Sequence, residues 1–134
     1  MLQVEFVNRE KERLIAEHTH IVEKVARLRG SIQAEIELEE GDVRVFEREK
    51  SSALITFLQR KLQDIDAALR AITQGEYGLC QRCHLPIDIE RLEARPDATF
   101  CLPCQQEVER VTIRRNRQRG LDLLMADYEK DAAI

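Results

Sequence analysis

A chain of 134 residues with a formal net charge of −4 has the length of one ordinary domain, and its charge argues against a general nucleic-acid binder, which needs an excess of Lys and Arg to neutralise phosphates. Aromatic residues make up only 4% of the chain and Trp is absent, while 34% of residues are charged; the apolar material is chiefly Leu, Ile, Val and Ala, a balance that suits long helices better than a globular core. No stretch approaches the roughly 20 apolar residues of a membrane span and no segment has the order of a secretory signal, so a cytoplasmic protein without membrane contact is expected.

The first forty residues contain one Gly and no Pro, so little interrupts a helix there. From Val4 the apolar positions advance by steps of three and four through Val7, Lys11, Leu14, His18, Ile21, Val25, Leu28 and Ile32. That is the seam of a coiled coil, with Lys11 and His18 its polar members. A second seam runs through Ile55, Leu58, Leu62, Ile65, Leu69 and Ile72. Between them lies Glu39-Glu40-Gly41-Asp42, where Gly supplies turn freedom and Asp42 can cap the second helix. Two long helices joined by so short a turn fold back antiparallel, because each apolar stripe is costly to leave in water. The expected arm is about 50 Å long at 1.5 Å per residue. Gly75 is placed to end the second helix. After Cys104 a third helix is expected from Gln105, with Gly120 a point of interruption and Leu121, Leu123, Leu124, Met125 and Tyr128 an apolar closing segment that packs on the hairpin base or on another molecule.

The chemistry lies in Cys80-x-x-Cys83 and Cys101-x-x-Cys104, separated by 17 residues. Each pair can place two sulfurs on one metal, and four thiolates complete a tetrahedron around a single structural zinc ion with no open position for water or substrate. The alternatives are four reduced cysteines without metal, or a redox dithiol, for which a βαβ setting would be expected and is missing from the pattern. His84 follows Cys83 directly and reads as a loop residue, since four better-spaced ligands exist. His18 reads as a polar member of the seam, and His20 as surface. With no nucleophile–base pair and no open metal position to propose, the chain does not read as an enzyme.

Two charged stretches remain. Glu35, Glu37, Glu39, Glu40 and Asp42 place five carboxylates within eight residues at the turn; they are either a solvated helix end or an acidic tip offered to a cationic or metal-containing site. Arg110, Arg114, Arg115, Arg117 and Arg119 form a basic run. Its ordinary reading is a solvated helix face, and contact with nucleic acid or an acidic protein surface is the other.

The stretch from Tyr77 to Cys104, YGLCQRCHLPIDIERLEARPDATFCLPC, resembles the zinc-finger signature of the DksA/TraR family of bacterial transcription factors. The likeness lies in Tyr77-Gly78, both cysteine pairs, Ile87, Arg91-Leu92, Ala94-Arg95-Pro96 and Ala98, and the long hairpin with an acidic turn before it extends the likeness over roughly residues 1 to 110. The resemblance implies a protein that binds RNA polymerase rather than DNA, inserts the hairpin into the secondary channel, brings the acidic tip near the active site and alters initiation, often with the nucleotide ppGpp. Counting back from Cys80 without gaps places the family's Asp-x-x-Asp-x-Ala tip motif on Glu37, Glu40 and Asp42, so the two acids keep charge only and the small residue has become acidic. The family's Gly after the second cysteine is His84 in this chain.

The expectation is therefore an all-α protein: an antiparallel coiled-coil hairpin over residues 1–76 with partner-contacting tip residues Glu37, Glu39, Glu40 and Asp42, then a zinc finger and C-terminal helix over residues 77–134 with Cys80, Cys83, Cys101 and Cys104 on the metal. A zinc-braced coiled-coil adaptor with no transcriptional role is the rival reading, favoured by the altered tip.

Overall fold

The computed structural model describes residues 2–37 and 42–132. Four helices follow in order: α1 (Val4–Glu37), α2 (Asp42–Gln74), α3 (Ile89–Ala94) and α4 (Leu102–Ala132). Among the described residues there is no strand, only one isolated antiparallel bridge between Leu79 and Pro86. The fold is all-α, as expected.

Helices α1 and α2 form the antiparallel hairpin. Leu14, Ile21 and Val25 of α1 share one core with Ile55, Leu58, Ile65 and Ala68 of α2, because the three-and-four spacing puts these side chains on one stripe of each helix. Two polar contacts bridge the helices beside that stripe and mark which turns lie level: the Lys61–Glu17 ion pair at 2.8 Å, and His18 Nε2 at 3.2 Å from an Asp66 carboxylate oxygen. His18 is thus a partly exposed partner of α2, not a seam residue enclosed in the core.

The lower end of the α1 seam departs from the expected register. Val4 is 74% exposed and Lys11 is exposed, while Glu10 is fully buried. The reason is tertiary: α2 stops at Gln74, so the first turns of α1 also meet the chain beyond it, and the face they bury is set by that second neighbour. Leu2, just before α1, packs on Gly78 so closely that a Cβ there would lie 2.6 Å from its Cδ1.

Helix α2 ends in a Schellman motif. The Glu76 N–H donates to the Ala71 carbonyl at 2.8 Å, the Gly75 N–H donates to that of Ile72 at 3.2 Å, and Gly75 sits at φ 73°, the left-handed conformation that glycine enters without steric cost.

Helix α4 corrects two expectations. It begins at Leu102, three residues early, with Pro103 in its first turn, where the missing N–H costs nothing. It also runs through Gly120 without a break. One Gly inside an exposed helix costs only about 1 kcal/mol relative to Ala, too little to stop propagation between strong helix formers. The closing segment does not pack on the hairpin base: Leu121, Leu123, Leu124, Met125 and Tyr128 are all more than half exposed. The six-residue helix α3 is too short to leave a periodic trace, and the sequence pattern does not announce it. Among the described residues, no helix is long and apolar enough to cross a membrane.

Candidate functional site

The first cysteine pair is held by a closed loop. The Ile87 N–H donates to the Gly78 carbonyl at 2.7 Å and the Cys80 N–H to that of Leu85 at 2.9 Å, joining the two sides of the loop. Inside it, the His84 N–H donates to the Cys80 carbonyl at 2.9 Å and the Cys83 N–H points at the Cys80 sulfur at 3.5 Å. The second pair is built differently: Cys101 precedes α4 and Cys104 lies in its first turn, with the Gln105 N–H donating to the Cys101 carbonyl at 2.9 Å. A bond from the Gln81 N–H to the Thr99 carbonyl, 2.9 Å, ties the two arms together.

The result is that the four Sγ atoms of Cys80, Cys83, Cys101 and Cys104 all lie within 4.8 Å of one another. The Cys83 and Cys101 sulfurs are 3.7 Å apart. Zn–S bonds of about 2.3 Å in a tetrahedron set the sulfurs about 3.8 Å from each other, so the donor chemistry and the spacing both fit one structural zinc ion. When bound, such an ion supplies folding energy rather than reactivity, because four thiolates leave it no open position.

The thiols themselves are unequal. Burial opposes ionisation of Cys80, but hydrogen bonds from the backbone of Cys83, Cys101 and Arg82 and from the Cys83 side chain outweigh it and draw this thiol down to about 6. Cys104 goes the other way, up to about 12, chiefly through its hydrogen bond with the Cys101 side chain, with burial and the other two sulfurs adding to it. Four thiolates so crowded repel one another, and a dication is the compensation this geometry suits.

His84 is exposed and adopts φ 62°. It occupies the turn residue of the loop, where a side chain costs about 1–2 kcal/mol that Gly avoids. The substitution His84→Gly is therefore expected to raise stability by about 1 kcal/mol, less than the full relief because Gly also loosens the unfolded chain. Urea unfolding at constant zinc measures it, and a variant less stable than the parent would contradict the assignment of strain to this turn.

The finger is seated on the hairpin base by an extension of the hairpin's own core. Leu92 of α3 is fully buried, and Tyr77, Ile87 and Ala98 are nearly so. The Tyr77 hydroxyl donates to the Pro96 carbonyl at 2.9 Å, and Arg91 Nε donates to that of Phe100 at 3.1 Å. Arg13 joins hairpin to finger: its Nη1 donates to Glu10 Oε2 at 2.8 Å and to the Glu93 carbonyl at 2.9 Å. Burial, then the neighbouring Glu10 charge, hold the Tyr77 hydroxyl well above its ordinary range. Burial and then Asp97 likewise raise the Asp64 carboxyl. Asp97 is 4% exposed, and its Oδ2 has no hydrogen bond, with Arg95 3.9 Å away. Glu10 and Asp97 are the buried charges that sequence reasoning missed. Glu10 and Arg13 stand three apart, but that spacing is equally common on solvated helix faces.

At the far end of the hairpin, α1 closes at Glu37 and α2 opens at Asp42. Glu39 and Glu40 lie outside the described residues, as do the side chains of Glu37 and Asp42. The 33 residues of α2 separate this turn from the finger by about 50 Å.

A four-cysteine finger that shares its core with the foot of a long helical hairpin defines the class: an all-α protein with a C4-type zinc finger. Residues 75–110 match the prokaryotic dksA/traR C4-type zinc finger, so the chain carries a finger of that type. It is 49% identical over 53 residues to the RNA polymerase-binding transcription factor DksA of Caulobacter vibrioides, a match covering 39% of this chain and 37% of that protein. Against the RNA polymerase-binding transcription factor DksA of Escherichia coli it is 28% identical over 102 residues, covering 76% of this chain and 61% of the relative. The chain thus spans between about a third and three fifths of these curated relatives. In fold it is similar to transcription factor DksA2 from Pseudomonas aeruginosa, with a TM-score of 0.68 and 23% identity over 82% of this chain and 88% of that one. A second likeness is to the RNA polymerase binding protein and transcriptional regulator Dks from Chlamydia trachomatis, with a TM-score of 0.52 and 26% identity over 84% of this chain and 96% of the other.

Proposed function

We propose that this protein is a DksA-like cytoplasmic regulator that binds RNA polymerase, enters its secondary channel with the α1–α2 hairpin and modulates transcription initiation, with ppGpp as co-regulator at the polymerase interface. The observation that carries the reading is the joint presence of the family's finger and a hairpin of two helices, 34 and 33 residues long, rising from it. In this reading Cys80, Cys83, Cys101 and Cys104 hold zinc and have no catalytic part; the finger braces the base of the arm. Glu37, Glu39, Glu40 and Asp42 are the working end. The protein acts through polymerase and not by reading DNA, in keeping with its net charge of −4, which disfavours phosphate binding.

Two measurements test this. The purified chain is expected to bind core RNA polymerase at micromolar concentration and to be displaced by a secondary-channel factor; no binding in that range would sink the proposal. The triple substitution of Glu37, Glu40 and Asp42 by Ala is expected to abolish the effect on a ribosomal promoter in vitro, with and without ppGpp, while leaving polymerase binding largely in place. An unchanged transcriptional effect would remove the tip from the mechanism, and no effect from the parent protein would favour the adaptor reading.

A further inference from the structure

Helix α4 carries a cationic segment that neither the finger nor the hairpin uses. The last of its residues in the cleft it shares with α2 and the finger is Ile113, and from Arg114 to Tyr128 every residue is exposed. Arg110, Arg114, Arg115, Arg117 and Arg119 bring five positive charges into a stretch, residues 110–119, that holds no acid. Arg110 is engaged by Glu107 at 2.7 Å, whereas the other four have no ion pair among the described residues. At about 100° per residue, Arg114 and Arg117 fall together on one flank of the helix and Arg115 and Arg119 together on another, with about 150° between the flanks. Each pair spans about 5 or 6 Å along the axis and the two pairs are nearly level, so this part of α4 is a rod with cations on two sides. The sector between the flanks that is centred on Gln118 turns away from the cleft. Asp122, a turn further on, accepts a hydrogen bond from Gln118 Nε2 at 2.9 Å.

We propose that this segment lies in the major groove of a B-form DNA duplex and holds phosphates of both strands, without reading base sequence. The two-flanked arrangement selects this occupant. An acidic protein surface meets one side of a helix, so engaging Arg114 and Arg117 would leave Arg115 and Arg119 unused. A groove about 12 Å wide admits a helix about 10–12 Å across and sets an anionic backbone against each flank. Duplex RNA is excluded by shape, since its major groove is too deep and narrow to take a helix. Single strands find no stacking platform, because residues 110–119 contain no aromatic side chain. Every cation of the segment is Arg, whose planar fork can offer two N–H donors to one phosphate. The contact is independent of sequence and does not rest on polymerase binding by the hairpin. The chain's net charge of −4 opposes it, so the affinity is that of a non-specific contact, on the order of 10 µM at low salt.

Fluorescence anisotropy of a short labelled DNA duplex of mixed sequence, titrated with the full zinc-loaded chain and no polymerase, tests this. With four phosphates engaged, affinity should fall about 100-fold between about 50 and 200 mM salt. Arg114→Gln with Arg117→Gln clears one flank, and Arg115→Gln with Arg119→Gln clears the other. Each double variant is expected to weaken binding by about tenfold and to lower the salt slope by about two. Arg27→Gln with Arg29→Gln makes the same change of net charge on exposed positions of α1 and should leave binding within about twofold of the parent. A zinc content equal to that of the parent checks that each variant is folded. A parent that does not bind the duplex at low salt overturns the proposal, as does an equal loss from the α1 variant. A loss from one flank alone, or equal affinity for an RNA duplex of the same length, also overturns it. A chain that ignores the duplex but binds polyglutamate has an acidic protein as its partner, and the proposal fails.

Discussion

Cys80→Ser is expected to release the zinc and dissolve the finger while most of the hairpin survives. Cys80 is fully buried among the finger's own residues, and its sulfur lies within 4.8 Å of the other three. A structural zinc site contributes on the order of 10–16 kcal/mol of apparent binding energy at neutral pH, and most of that is folding energy, since the unfolded chain has no preformed site. The finger's own share of the core, Tyr77, Ile87, Leu92 and Ala98, is too small to replace it. Metal analysis should show zinc falling from one per chain to well below that. Amide exchange should lose protection through residues 77–104 but keep it along the upper α1–α2 seam around Ile21, Val25 and Ile55, far along the hairpin from the cysteines. A chelator added to the parent should produce the same exchange pattern. Lowering the pH should act in the same direction, because protons compete with the metal for thiolates. A Cys80→Ser protein with full zinc and unchanged exchange would show that the cluster is not a metal centre.

Arg13→Met should destabilise the protein by about 2–4 kcal/mol, a shift of roughly 10 °C in the thermal midpoint for a chain of this size. The Glu10 side chain is only 1% exposed, and Arg13 is its close partner at 2.8 Å, with Arg9 3.6 Å from the other oxygen. Removing the guanidinium leaves a buried carboxylate without its main counter-charge, and it also frees the Glu93 carbonyl that Arg13 holds. The expected cost is set below that of a fully enclosed pair because the Arg13 side chain is 48% exposed and water screens it. The double variant Glu10→Leu with Arg13→Met should recover most of the loss, since a buried ion pair is often no better than apolar residues of similar volume. If the single and double variants unfold at the same temperature, the charge is not what Arg13 satisfies, and its bond to Glu93 is the contribution that matters.

The hairpin and the finger were legible for different reasons. Long helices repeat their packing rule every three or four residues, so Leu14, Ile21 and Val25, and Ile55, Leu58 and Ile65, declared their faces many times over. The cysteine pairs declared theirs by spacing, because a metal constrains ligands more tightly than a core constrains side chains. Gly75 was legible too, since a long helix that stops at Gly commonly stops in the left-handed conformation. The short helix α3 was not, having a single buried residue, Leu92, and no second turn to establish a period. Gly120 misled because a local cost of about 1 kcal/mol is real but is outweighed when both neighbouring segments favour helix.

The sequence by itself determined the all-helical class, the antiparallel hairpin, the four candidate ligands and the likeness that points to polymerase, since each rests on local spacing or on a dense motif. Only the tertiary structure decided which turns of α1 face the finger instead of α2, why Glu10 is buried while Val4 and Lys11 are not, and why His84 is strained. It also decided that α4 continues past Gly120 with its apolar face uncovered. The physical reason is common to these: whether a side chain is buried or strained depends on neighbours distant in sequence, and periodicity within one helix carries no record of where the next element ends.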